Sequence, residues 1–345
     1  MPDGMEKSVK KVTTREIGKT VGVSAVTVSR ALTGRPGMSE AVREKILRAA
    51  EEMGYEWPDQ GTGAPGHLDI GILIPETFFH ANSFYTNFYK RLVQQLTEAG
   101  HYAMLELVKR EDEDGLRLPR MLENQRVKGI ILMGQTRKDY SRMIVGQGMP
   151  MVFLDYYDEQ ASADAVVGDN TYGAYRLTSH LIKNGHTRIG FVGNYRATSS
   201  IMDRYLGFCR ALLGHDLPLR MDWVLMDRDV NNVLKEEILL PEEMPTAFVC
   251  NCDLVARKLI DQLTAAGYRV PEDISVTGYD DFEMETGRGP GISTFRVDTD
   301  AMADIAVKLL MDRCAGLRKP FGRTVIGGHP VYRESEGPAG MQARD

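Results

Sequence analysis

Apolar positions recur along this chain with two different periods. Near the N-terminus the period is helical. Ile17 and Val21 stand four apart behind Thr13 and Thr14, either of which can cap a helix. Gly22-Val23-Ser24 reads as a tight turn, with Ser24 capping a second helix over about 25–32 that keeps Val28 and Leu32 on one stripe. Gly34-Arg35-Pro36-Gly37 breaks it, and Ser39 opens a third helix with Val42, Ile46, Ala49, Ala50 and Met53 at helical spacing. Three short helices with so small a core predict a helix-turn-helix domain over 11–57.

Beyond Gly54 the pattern lapses into a Gly- and Pro-rich stretch, and the linker is placed at 58–67. Gly61-Thr62-Gly63-Ala64-Pro65-Gly66 is a formal GxGxxG match, but a dinucleotide loop follows a strand and opens a helix. This one precedes a strand, and Pro65 blocks a helix. From there short apolar runs alternate with amphipathic helices. Ile70–Ile74, Tyr102–Val108, Gly129–Met133, Met151–Leu154 and Ala165–Val167 read as buried strands, with a helix such as Phe84–Ala99 between them. A second series holds strands at Ile189–Val192, Trp223–Met226, Thr246–Cys250 and Ile274–Gly278, and helices near Asn170–Lys183, Ser200–Leu213 and Cys252–Ala266. Two successive βα series predict two doubly wound lobes with parallel sheets, and a cleft where the carboxyl ends of their strands face each other. The fold class expected is an N-terminal all-α helix-turn-helix head plus an α/β two-lobed body.

Charge sharpens this division. The chain carries −6 over 345 residues, yet between Lys7 and Arg48 ten Lys/Arg stand against three Glu, a net of +7 that leaves −13 for the remainder. A basic head on an acidic body means that the head alone suits phosphates. No apolar run reaches the roughly 18 residues that span a bilayer. The polar, basic start shows no apolar export segment, so a cytoplasmic chain is expected. Cys209, Cys250, Cys252 and Cys314 lack zinc or disulfide spacing and read as reduced thiols; no metal or cofactor is expected.

The string Thr13-Thr14-Arg15-Glu16-Ile17-Gly18 through Gly22-Val23-Ser24-Ala25-Val26-Thr27-Val28-Ser29-Arg30-Ala31-Leu32 resembles the DNA-binding head of the lactose/galactose repressor (LacI) family. Asp169-Asn170, Leu181 to His186, Ile189 to Gly193, Val270 to Val276 and Gly278-Tyr279-Asp280-Asp281 resemble that family's effector domain, so the likeness runs over about 12–334. It implies a periplasmic-binding-protein-like body at 68–334, in which the chain crosses between lobes near Gly168, Val297 and Arg323. Lobe one is then 68–168 plus 298–322, lobe two 169–297 plus 323–334, and 335–345 a tail. It also implies a homodimer reading a pseudo-palindromic operator. The tail has no heptad, so no further assembly is expected through it.

The resemblance places DNA contacts on Thr13, Thr14, Arg15, Ser24, Ala25, Val26, Thr27, Ser29 and Arg30. Ala25, Val26, Ser29 and Arg30 form the stripe opposite Val28 and Leu32. Arg30 can fork onto guanine or clamp a phosphate, whereas Ala25 and Val26 suit thymine methyls or close approach. In the cleft it places a carboxylate at Asp155, an arginine at Arg204 behind Ser200 on the same helix, and a second carboxylate at Asp280. Carboxylates accept from paired hydroxyls and a guanidinium donates in a fork, so the set suits a carbohydrate. Phe84, Tyr85 and Tyr156 offer apolar ring faces, a role that competes with ordinary lobe core. Cys252 fills the slot where the family has asparagine, a weak hydrogen-bonding replacement that neighbouring Asn251 could cover; Asp253 reads as a helix cap.

Two other functions fit less well. An exported sugar-binding protein would have an export signal and no DNA-binding head. A glycosidase using Asp155 and Asp280 is conceivable, but no nucleophile elbow, phosphate loop or metal cluster accompanies them. The linker departs from the family, whose members carry there a short helix of pattern Asn-x-x-Ala-x-x-Leu that wedges the minor groove. Here Gly61, Gly63, Pro65 and Gly66 oppose a helix and no leucine is present, so none is expected to form.

Overall fold

The computed structural model describes residues 12–32, 38–53, 55, 67–79, 83–229, 232–282, 289–317 and 319–340. The expectations for the linker therefore fall, except for His67, outside the described residues. The chain divides into two units at Gly66/His67.

The first unit holds helices α1 (Thr14–Val21), α2 (Ala25–Leu32) and α3 (Glu40–Glu52). Thr13 and Glu16 close α1 in a reciprocal capping box: the Glu16 amide donates to the Thr13 hydroxyl and the Glu16 carboxylate accepts from the Thr13 amide. Gly22 ends the helix at φ 79°, a conformation glycine adopts without penalty. Ser24 starts α2 by accepting from the Thr27 amide at 3.1 Å. Ile17, Val28, Ala31, Ile46 and Ala50 form the buried core of this unit.

In the second unit, lobe one carries β1 (Asp69–Pro75), α4 (Phe84–Glu98), β2 (Tyr102–Val108), α5 (Arg110–Asp114), α6 (Arg120–Glu123), β3 (Gly129–Met133), α7 (Lys138–Val145), β4 (Met151–Leu154) and β5 (Asp164–Gly168). Lobe two carries α8 (Asn170–Lys183), β6 (Ile189–Val192), α9 (Ser199–Gly214), β7 (Val224–Leu225), β8 (Ala247–Cys250), α10 (Asp253–Ala265) and β9 (Ser275–Thr277). The rest of the chain forms β10 (Thr294–Val297), α11 (Thr299–Cys314), β11 (Arg323–Ile326) and β12 (Gly328–Val331).

The lobe-one sheet has the order β11-β5-β4-β3-β1-β2 and the lobe-two sheet β7-β6-β8-β9; all their pairings are parallel, while β10 and β12 form a separate antiparallel pair. Both faces of each parallel sheet are covered, which is why the strands read as unbroken apolar runs. Ile70, Ile72 and Ile74 face Phe88, Leu92 and Leu96 of α4 together with Met302 and Leu310 of α11, whereas Leu73 and Leu132 face Tyr140 and Ile144 of α7. Lobe two repeats the arrangement, with Val255, Leu259 and Leu263 of α10 on one side and Phe208 and Leu212 of α9 on the other.

Two expected boundaries are corrected. The third crossing does not lie near Arg323: β11 pairs with β5 through Ile326, so the chain stays in lobe one to that point and crosses at Gly327. The open edge of β5 takes four more residues as a strand before release. The segment after 334 is not a free tail either. Ser335 is fully buried, its hydroxyl donating to the Val276 carbonyl (2.6 Å) and accepting from the Ser293 amide (2.8 Å). Glu336 accepts from Asn184 at 2.7 Å and lies 3.0 Å from His180, so lobe two extends at least to residue 340.

Candidate functional sites in the head and the cleft

In the head, the exposed stripe of α2 is the one the sequence implies. Val26 is 64 % exposed, Ser29 and Arg30 are exposed, and Ala25 and Thr27 are half-buried. An exposed valine on a short, otherwise well-packed helix has no role in the core. Thr14 and Arg15 open α1, with Arg15 exposed. Thr13 and Ser24 hold the helix ends, so each fixes the presentation of its helix whatever else its hydroxyl contacts.

The body places a cavity of about 490 Å³ between its lobes, and its position follows from topology. In lobe one the strand order reverses between β1 and β3, in lobe two between β6 and β8. Ligand crevices in open α/β sheets lie outside the strand carboxyl ends at such switch points. The lining residues come from those ends: Thr77 and Phe78 after β1, Asp155 after β4, Thr198 to Arg204 after β6, Arg228 after β7, Asn251 and Cys252 after β8, Asp280 and Phe282 after β9. Ser83, Phe84 and Tyr85, at the start of α4, complete the lobe-one wall.

Arg204 is the centre of this wall. It is 6 % exposed, and its guanidinium donates to Asn170 Oδ1 (2.8 Å), the Asn251 carbonyl (2.5 Å) and Asp280 Oδ1 (2.9 Å) while lying 3.8 Å above the Tyr279 ring. Burial alone would make it easier to deprotonate, but Asp280, Tyr279 and Asp155 hold its pKa above the ordinary value. Burial raises the Asp280 carboxyl, against which the Arg204 charge and hydrogen bond pull down. From the other lobe, Asp155 accepts from the Tyr85 hydroxyl at 2.7 Å. Its pKa is pushed up to about 6, first by burial and also by Asp280, with Arg204 and Tyr85 opposing. The lobes also touch through Gln135, whose Oε1 accepts from the Ser199 amide at 2.8 Å.

Of the implied cleft residues, Phe84, Tyr85, Asp155, Ser200, Arg204, Asn251, Cys252 and Asp280 line the cavity. Tyr156 does not, and is corrected: it is fully buried in the lobe-one core, its ring 4.9 Å from Phe153 and its hydroxyl 3.1 Å from Ser141. Asp155 has φ 57°, and past that left-handed residue Tyr156 packs with Phe153 and with Tyr140 and Ile144 of α7. Asn251 lines the cavity mainly as backbone, because its amide is committed to the Val192 carbonyl (3.0 Å) and Asp227 (2.9 Å). Cys252 presents a neutral thiol, burial raising its pKa to about 12. Asp253 does not cap α10. Cys252 occupies the N-cap without a side-chain bond, and the Asp253 carboxylate turns aside to accept from the Phe282 amide at 2.7 Å.

Sequence reasoning missed Arg228. It pairs with Asp227 at 2.8 Å and its side chain is 10 % exposed on the cavity wall. The rule that ligand groups follow strand ends would have found it after Trp223–Met226.

Comparison with known proteins agrees with both halves. Residues 13–57 match the model of bacterial regulatory proteins of the lacI family, and residues 178–336 that of the periplasmic binding protein-like domain. The HTH-type transcriptional repressor PurR of Aliivibrio salmonicida is 28 % identical over 335 residues, covering 94 % of this chain and 98 % of that one. The PurR repressor of Mannheimia succiniciproducens is 26 % identical over 333 residues with the same coverage, 94 % and 98 %. Among solved structures, a complex of the transcriptional regulator CelR with cellobiose aligns with a TM-score of 0.67 at 25 % identity, over 94 % of this chain and all of that one. A lac repressor dimer bound to operator and the anti-inducer ONPF shares the fold, with a TM-score of 0.65 at 21 % identity over 95 % of this chain and 100 % of that one. A helix-turn-helix head and a two-lobed binding body are matched along nearly the whole length of these repressors, and the chain belongs to the lacI family of bacterial regulatory proteins, DNA-binding transcriptional regulators.

Proposed function

We propose that an uncharged, hydroxyl-rich small molecule, a mono- or oligosaccharide, occupies the cleft and sets this repressor's affinity for a pseudo-palindromic operator, which the chain reads as a homodimer in the cytoplasm. The observation that carries the ligand class is the charge arrangement around the cavity. Asp155 and Asp280 stand on opposite lobes, and the guanidiniums of Arg204 and Arg228 are already closed on Asp280 and Asp227. An anionic ligand would meet buried carboxylates with no further cation among the described lining residues to balance it, while hydroxyl groups can donate to both walls. The related CelR structure contains cellobiose. The α2 stripe of Ala25, Val26, Ser29 and Arg30 is the base-reading face, with Thr13, Thr14, Arg15, Ser24 and Thr27 framing it.

The rings of Phe78, Phe84 and Phe282 on the cavity wall favour a second reading, a planar heterocyclic base held by stacking. Thermal unfolding with a panel of neutral sugars, sugar phosphates and nucleobases separates the two, since a ligand that binds the folded state raises the midpoint. Stabilisation by a neutral sugar, together with a changed affinity for operator DNA in fluorescence anisotropy, is the expected result. A response confined to sugar phosphates, or to nucleobases, overturns the carbohydrate assignment.

A further inference from the structure

Tyr279, Asp280 and Asp281 are consecutive, and between them they touch the cavity, the first two interlobe crossings and the segment that follows the third. The Asp280 carboxylate pairs with Arg204 in the cavity. The Tyr279 hydroxyl donates to the Asp169 carbonyl at 3.2 Å, where the chain first leaves lobe one between β5 and α8. The Asp280 amide donates to the Phe295 carbonyl at 3.0 Å, and Asp281 Oδ2 accepts from Arg296 at 2.5 Å, so both grip β10, the second crossing. Asp281 Oδ1 accepts from Arg333 at 2.5 Å, just beyond β12, which follows the third. Arg333 in turn donates to the Ile292 carbonyl at 2.7 Å, closing the loop back to the entrance of β10.

The backbone here is also under tension. Asp280 has φ 100° and Asp281 φ 53°, two successive non-glycine residues in the left-handed region, a conformation that persists only where surrounding bonds over-determine it. A ligand that competes with Arg204 for the Asp280 carboxylate changes one of those bonds. Asp281, its neighbour, holds β10 and the segment just beyond β12 with one buried carboxylate whose side chain is 6 % exposed. A small turn at Asp280 therefore reaches β10 and the segment after β12 through rigid, charge-assisted contacts rather than through a loop.

From this juxtaposition we propose that Tyr279-Asp280-Asp281 couples occupancy of the cleft to the interlobe hinge, with Asp281 as the positioning residue that passes the change to the crossing strands. The proposal rests on the cleft being the effector site. Its test uses no effector and is read on the hinge alone, so its failure leaves that assignment standing. Native-state hydrogen exchange of the β10–β12 ladder reports how often the hinge opens, and the full chain is compared with Asp280→Asn, Asp281→Asn and the double variant. Asp280→Asn is expected to speed exchange in the ladder by about fivefold or more, the lower end of coupling between linked sites. In the Asp281→Asn background it should add nothing. Asp139→Asn, which loosens an exposed lobe-one ion pair with Arg137 outside both the cavity lining and the tripeptide, should leave the ladder at its wild-type rate. If Asp281→Asn does not fold, Arg333→Gln removes one arm of the clamp and should reduce the Asp280→Asn effect in the same way. Wild-type exchange in Asp280→Asn, or an equal effect with and without the clamp, overturns the proposal.

Discussion

Replacing Asp155 with asparagine should make the unliganded protein more stable at neutral pH, although it removes a charged residue from the binding cavity. The Asp155 carboxylate sits 8 % exposed between the lobes, accepts one hydrogen bond from Tyr85, and faces Asp280 as well as Arg204. Burial and the neighbouring carboxylate outweigh the guanidinium, so its pKa stands at about 6 against an ordinary 3.8. Folded chains then hold this proton more tightly than unfolded ones between those two values. Stability falls as pH rises through that window, and the full penalty remains above it. The difference corresponds to about 3 kcal/mol. An asparagine keeps an oxygen for the Tyr85 hydroxyl and carries no charge to desolvate. Urea unfolding of wild type and Asp155→Asn should therefore separate by roughly 1–3 kcal/mol at pH 8 and converge near pH 4. A variant no more stable than wild type at pH 8, or a gain undiminished at pH 4, would refute this reasoning.

Three further outcomes follow from packing and exposure. A Cβ at Gly207 would stand 2.1 Å from the Thr171 carbonyl oxygen and 3.0 Å from the Ala174 Cβ, so Gly207→Ala should force α8 and α9 apart and cost about 1–3 kcal/mol in urea unfolding. Ile17 is fully buried in the small core of the head, and Ile17→Ala should cost that domain roughly 2–5 kcal/mol. It should abolish operator binding while the unfolding of the body, seen by calorimetry, stays in place. Arg30→Ala on the exposed face of α2 should weaken operator binding by about 1–3 kcal/mol in anisotropy at fixed salt.

How much of this could be read from the sequence depended on whether each element announces itself locally. Strands with two covered faces are continuous apolar runs, so β1, β3, β4, β6 and β8 could be placed almost to the residue. The three late strands could not. Thr-Phe-Arg-Val in β10 and Gly-His-Pro-Val in β12 are short, mixed and half-exposed, and they pair with each other across the hinge rather than joining a sheet core. β11 is an edge strand with an exposed, polar alternation, which is why the third crossing was expected four residues early. In the cleft, Asp155 and Tyr156 are neighbours that part at one left-handed residue, and side-chain type cannot reveal which of the two turns inward. Arg228 was missed for another reason: the strand expected at Trp223–Met226 ends two residues before it, but no residue of the family resemblance marked that strand end as part of the site.

Backbone strain locates the working face independently of any motif. Among the described residues, seven other than glycine have φ between 48° and 100°. Leu116, Gln125 and Asp216 each stand one residue past the C-cap of a helix, where a left-handed turn is the ordinary way to stop. The remaining four are Asp155, Asn232, Asp280 and Asp281, of which the first three line the cavity and the fourth clamps the hinge beside it. Aspartate and asparagine tolerate this region better than other residues, yet each such position still costs of order 1–3 kcal/mol. The same residues include buried carboxylates that water would hold more cheaply. A body selected only for stability would place glycine at those turns and apolar side chains on those walls. Strain and desolvated charge are instead concentrated at the carboxyl ends of two sheets and against the strands that join them. That is the arrangement expected if the cleft and the hinge are one bistable element, in which the unliganded state is kept imperfect so that a ligand has something to relieve.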